Sequence, residues 1–188
     1  NSWVPPLVAE RGLNFGGSGN PYNVANGGAT SSSLLSQNQH TEVAGYVQSG
    51  DVTTAALLIG GNDFNGVTGL QIATGSLSGA ALQTFIDGVA ANFITAASTG
   101  LAEDPEGLML IGTPDVTFSP AFQSLNPTPV QTQRVADAID GVNAQLLAYA
   151  QANDVVFIDS AAWMRDNLVP GSLVVGGIPV DRVDQQIG

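Results

Sequence analysis

Residues 57–65 read LLIGGNDFN. An apolar run stops at two glycines, and a carboxamide and a carboxylate follow at once. Extended back to Thr54, the run is short and apolar on both faces, which is the pattern of a buried strand in a parallel sheet. Glycine permits turns and close approaches that a side chain forbids. Ligands in open α/β sheets bind beyond the carboxyl ends of the strands. Asn62 and Asp63 are therefore expected where chemistry takes place.

The same alternation continues on both sides. A helix is expected over Pro5 to Arg11, with proline in its first turn and Gly12 as its stop. Tyr22 to Ala25 reads as a short strand, and Ser31 to Gln48 as helical by elimination. Leu82, Phe85, Ile86, Val89 and Phe93 recur at helical spacing and give one apolar face. Gly107 to Ile111 is a further strand, closed by Gly112-Thr113-Pro114. Val135, Ile139, Val142 and Leu146 mark a second clear helix, and Val155 to Ile158 a further buried strand. SLVVGGIPV (172–180) reads as a hairpin turning on Gly176-Gly177. Strands alternating with helices predict a parallel sheet covered by helices. With no internal repeat or linker, residues 1–188 are expected to form a single domain.

Composition narrows the function classes. The chain has 188 residues, 44% of them hydrophobic, enough for one sizeable core. The net charge is −12, although charged residues are only 11% of the chain. The acidity reflects scarce cations: four Arg and no Lys. Such a surface repels phosphate backbones, so nucleic acid is excluded as a partner. Apolar runs fall well short of the ~20 residues of a spanning helix, so no membrane span is expected. With no Cys, one His and no tight carboxylate cluster, neither a metal nor another cofactor is expected. FGGSGNP (15–21) lacks the G-x-G-x-x-G spacing of a dinucleotide loop and leads toward a strand. Abundant Gly, Ser, Thr and Asn without Cys or Lys suits a secreted, bacterial-like protein.

Three loops share the expected carboxyl edge: NGGATSSS (26–33), GGNDFN (60–65) and GTPDVTF (112–118). YNVANGGATS (22–31) followed by LLIGGNDF (57–64) resembles the second and third conserved blocks of the SGNH hydrolases, the GDSL-type esterases and lipases. GTPD (112–115), VNAQL (142–146) and NSWVPPLVAERGL (1–13) are further similarities, so the resemblance covers nearly the whole chain. It implies a three-layer α/β/α flavodoxin-like fold with a parallel sheet, here incomplete. It also implies hydrolysis of a small ester, an acyl lipid or an acetylated sugar, through a serine acyl-enzyme. The oxyanion hole would include the Gly28 N–H and the Asn62 side chain. A backbone N–H at glycine and a neutral carboxamide are suited to holding a developing O⁻. Asp63 is expected to be a structural turn acceptor.

The departures from the family pattern are equally specific. No Gly-Asp-Ser nucleophile block is present: SGDV (49–52) has the wrong order, and Asp159-Ser160 follows the wrong strand. No histidine follows Ile158. The resemblance therefore implies that nucleophile and Asp-His pair lie outside this chain, which alone is expected to be inactive. It also implies a missing strand between Tyr22 to Ala25 and Thr54 to Ile59. Additional polypeptide is expected to fill that slot, or the two strands to pair directly. Ser36 and His40 lie one helical turn apart, but the rise along the helix carries His40 away from Gly28. His40 is read as solvated and non-catalytic, Ser31 to Ser33 as helix caps, and Trp3 and Trp163 as packing residues. The alternative function is a non-catalytic surface or ligand-binding module that keeps the fold without the triad.

Overall fold

Three strands run parallel in the order β1 (Thr54–Leu58), β2 (Gly107–Ile111), β3 (Val156–Ile158). Their register aligns Leu57 with Leu110 and Leu110 with Phe157. The computed structural model describes residues 22–168 and the strand residues 173–175 and 178–180. Two helices precede the sheet, α1 (Ser31–Ser36) and α2 (Gln39–Gln48). Between β1 and β2 come α3 (Val67–Thr74) and the long α4 (Gly79–Leu101). The short α5 (Pro120–Gln123) and the long α6 (Pro129–Ala152) lead to β3, and α7 (Ser160–Asn167) follows it. A separate antiparallel pair, β4 (Leu173–Val175) and β5 (Ile178–Val180), forms the expected hairpin strands. The fold is mixed α/β.

The two long helices form where the apolar stripes predicted them. In α4, Ile86, Val89, Ala90, Phe93 and Ala97 are buried. In α6, Val135, Ile139, Val142 and Leu146 are buried. Both stripes join Ala55, Leu108 and Leu110 in one core. Thr128 and Gln131 close a capping box at the start of α6, with proline in the first turn. At the helix contact, a Cβ on Gly141 would lie 3.3 Å from Ile86 Cγ2, so glycine permits the close approach. Phe93 and Leu146 are fully buried, and truncating either to Ala should cost about 2–5 kcal/mol.

Several expectations need correction. Tyr22 to Ala25 is irregular, not a strand. The Asn23 side chain accepts from the Ala25 N–H, and the Val24 carbonyl accepts from Gln39 Nε2. Side chains thus take the backbone groups that a ladder would use. Among the described residues β1 is accordingly an edge strand, with nothing paired to its outer side. The expected direct pairing of Tyr22 to Ala25 with β1 does not occur. Ser31 to Gln48 is two helices, broken at Asn38 in the left-handed region (φ 59°), which asparagine tolerates.

β1 and β3 are not buried on both faces. Residues 55, 57, 108 and 110 point toward the long helices, whereas Ala56, Leu58, Val156 and Ile158 are exposed. The register places Met109 and Ile111 on that same outer face. An unbroken apolar run does not by itself say how many faces are covered. The Pro5 to Arg11 helix and the Gly176-Gly177 turn lie outside the described residues.

Candidate functional site

The chain leaves β1 through Gly60, whose φ is 99°. A Cβ there would lie 2.3 Å from Thr113 Oγ1, and one on Gly61 3.2 Å from Pro114 Cγ. The glycine pair therefore lets the corner after β1 seat directly against the corner after β2. A single 3₁₀ turn over Gly61–Asp63 then aims two polar side chains at residues 28–31.

Asp63 holds the start of α1. Its Oδ2 accepts from the Ser31 N–H at 2.8 Å and its Oδ1 from Ser31 Oγ at 2.8 Å. Asn92 of α4 donates to the same hydroxyl at 3.1 Å. Asp63 is thus an acceptor across distant parts of the chain, whereas the expectation was a local turn. Ser31 is buried at the first helical position. The cap is Thr30, in a capping box with Ser33. Burial raises the Asp63 pKa above the usual carboxylate range, and the Ser31 hydrogen bonds partly oppose that shift.

Gly28 and Asn62 are brought together. Asn62 Nδ2 donates to the carbonyl of Ala29, the residue after Gly28, at 3.0 Å. Asn62 Oδ1 accepts from Asn65 Nδ2 at 3.2 Å. The amide is therefore held at both ends, with its nitrogen turned toward the Ala29 carbonyl. One Nδ2 hydrogen goes to Ala29, and the second has no partner among the described residues. Gly28 is exposed, with φ 84°, and its N–H donates to no described residue. Among the described residues the corner thus has two uncharged N–H donors without a partner.

The corner after β2 is built differently. Asn143 Oδ1 accepts from the Thr113 N–H at 2.8 Å, and its Nδ2 donates to the Thr113 carbonyl at 3.0 Å. A Cβ on Gly112 would lie 2.9 Å from that Oδ1, so the residue must be small. Ser160 Oγ donates to the Gly112 carbonyl. Asp115 accepts from the Thr117 N–H and hydroxyl and from Arg165 Nε at 2.6 Å, while Arg165 Nη1 reaches Asp140 at 2.8 Å. Burial opposes the Arg165 charge, but the hydrogen bonds to Asp115 and Asp140 outweigh it and raise its pKa. Thr113 and Asp115 are 0% and 1% exposed. This corner is a brace, and Asp159-Ser160 belongs to it. Asp159 caps α7 through the Ala162 N–H, and Ser160 is tied to Gly112. Sequence reading marked GTPD and VNAQL but missed Asp140, Arg165 and the pairing of Asn143 with Thr113.

Ser36 and His40 do not meet. Ser36 Oγ donates to the Ser33 carbonyl. His40 is half-buried, not solvated as expected: its Nδ1 is shielded from water without a partner among the described residues. Trp163, expected to pack, is exposed, and Trp3 lies outside the described residues. Among the described residues no group of three His, Cys, Asp or Glu could hold a metal, and no helix is long and apolar enough to cross a membrane.

Beside Asn62 lies a groove of about 310 Å³, a feature that sequence reading missed. Phe64 and Phe122 line it with Val67, Leu70, Ala121 and Leu125. Its one polar side chain is Asn65, the residue that holds Asn62. Gly69 makes it: a Cβ there would lie 2.2 Å from the Phe64 carbonyl, so only glycine lets α3 lie this close. Val67, Leu70 and Leu125 remain 72%, 46% and 51% exposed around it. Comparison with family models, curated proteins and solved structures gave no match to this chain.

Proposed function

We propose that this chain belongs to a carboxylic ester hydrolase of the SGNH type, in a flavodoxin-like three-layer fold, and that Gly28 and Asn62 hold the oxyanion. The observation that carries the reading is the Asn62 amide bonded to the Ala29 carbonyl, with its second hydrogen and the Gly28 N–H both without a partner among the described residues. When a nucleophile adds to an ester carbonyl, the oxygen gains a full negative charge. Donors already fixed in place stabilise that charge without reorganising, and they act more on the transition state than on the substrate. Neutral donors suit a strongly acidic chain, because they need no cation. In this reading the serine adds to the carbonyl, the alcohol leaves with a proton from histidine, and water then releases the acid. The chain supplies the charge-stabilising part of that reaction. A secreted setting and further polypeptide alongside β1 belong to the same proposal.

The lack of a hydrogen-bonded Ser-His pair among the described residues favours one alternative, a non-catalytic ligand-binding module. Turnover separates the two. The protein that carries this chain should hydrolyse p-nitrophenyl butyrate and be inactivated by a serine-directed phosphonate. Residues 1–188 alone should do neither. A folded natural protein without turnover would remove the ester reading and leave the binding module.

A further inference from the structure

Large apolar side chains around a concave surface mark places where ligands or partners bind. Here three of them, Val67, Leu70 and Leu125, surround a groove floored by Phe64 and Phe122. At about 310 Å³ the groove matches the lower end of the ~300–1,000 Å³ range of small-molecule sites. A sugar would leave its hydroxyls facing carbon, and each unpaired polar group disfavours binding. An unbranched hydrocarbon chain has no such groups and gains from every methylene it buries. The groove is also joined to the donor corner, because Asn65 lines it and holds Asn62 Oδ1 at 3.2 Å.

We propose that this groove takes the aliphatic chain of the ester whose carbonyl Asn62 receives, so that the substrate is a fatty-acyl ester and not an acetylated sugar. The proposal rests on the ester reading of Asn62. The corner fixes the carbonyl, and the groove selects for chain length.

Straight-chain methyl ketones, from butanone to decanone, separate the two parts, since each offers a neutral carbonyl and an alkyl tail. Binding to residues 1–188 is followed by amide chemical shifts. Kd should fall about 3–4-fold for each added methylene, the equivalent of ~0.8 kcal/mol, until the groove is full. Ala121→Trp and Leu70→Asp alter exposed positions, so the melting temperature should hold. Both variants should flatten the series and weaken decanone binding at least ~10-fold. Each ketone should shift the Asn62 side-chain amide signal, and Asn62→Ala should leave the slope intact and raise each Kd by no more than about twofold, because a neutral carbonyl is held more weakly than an oxyanion. A flat series in the wild type, or a slope that survives Ala121→Trp, overturns the groove while leaving the ester reading standing. An Asn62 side-chain amide signal that no ketone shifts keeps the tail in the groove but takes the carbonyl from the corner, which overturns the ester reading and the joined proposal. Self-association abolished by Ala121→Trp, with no ketone slope, makes the groove a contact between copies and also overturns it.

Discussion

Two corners follow neighbouring parallel strands, and both are spelled Gly-x-x-Asp: Gly60 to Asp63 after β1 and Gly112 to Asp115 after β2. They touch through Gly60 and Thr113, yet they are used in opposite ways. After β2, the backbone of Thr113 is matched by Asn143, and Asp115 is tied to Thr117 and Arg165. After β1, Asp63 is likewise committed to Ser31, but its neighbour Asn62 stays at the surface with a donor that has no partner among the described residues. Position at the carboxyl edge of a sheet is therefore not enough to make a site. What separates a site from a brace is polar capacity left over once the scaffold's own groups are satisfied.

The brace should show the largest stability effect. Asp115→Ala removes a buried acceptor of bonds from Thr117 and Arg165. Breaking a fully buried pair costs more, but Arg165 is partly exposed and keeps Asp140, so the expected loss is about 3 kcal/mol by urea denaturation. A loss below ~1 kcal/mol would make the two corners alike.

Asp63 sharpens the contrast through pH. Its pKa is raised in the folded chain, first by burial. A carboxyl of that kind favours the folded state at pH below its unfolded value, and the benefit is lost as pH rises through the raised folded value. Asp63→Asn removes the charge but keeps an acceptor for Ser31. The variant should therefore gain stability relative to the wild type as pH rises above the ordinary carboxylate value of about 4. Parallel pH profiles for the two proteins would show that burial does not govern this carboxylate.

How much could be read beforehand follows from the range of each interaction. The stripes of α4 and α6 were legible because period and burial lie within one segment, as Val135, Ile139, Val142 and Leu146 show. The Tyr22 to Ala25 strand was misread because Asn23 and Gln39 side chains take the backbone groups there. Asn62 bonds the carbonyl of Ala29, the residue after Gly28, a contact between distant segments that no composition or spacing rule would place. The brace stayed hidden because Asn143, Ser160 and Arg165 reach it from distant helices. The groove did too, since Leu70 and Leu125 lie on separate elements and only folding puts them on one surface.

The smallest expected effect is at the contact between the corners. Thr113 Oγ1 is buried without a partner among the described residues. Thr113→Val therefore has no hydrogen bond to lose and should change stability by less than ~1 kcal/mol. A loss above ~2 kcal/mol would mean that the hydroxyl is bonded, and that the brace is tighter than described.

The central claim is that the corner after β1 holds an oxyanion, and Asn62→Ala tests it most directly. The substitution removes the bond to the Ala29 carbonyl, so unfolding should shift by about 1 kcal/mol and the fold should hold. Steady-state hydrolysis of a p-nitrophenyl ester by the natural protein should show kcat lowered roughly 10²–10³-fold with KM little changed, the signature of an interaction made in the transition state. A kcat within about threefold of the wild type, in a variant that folds normally, would contradict the account.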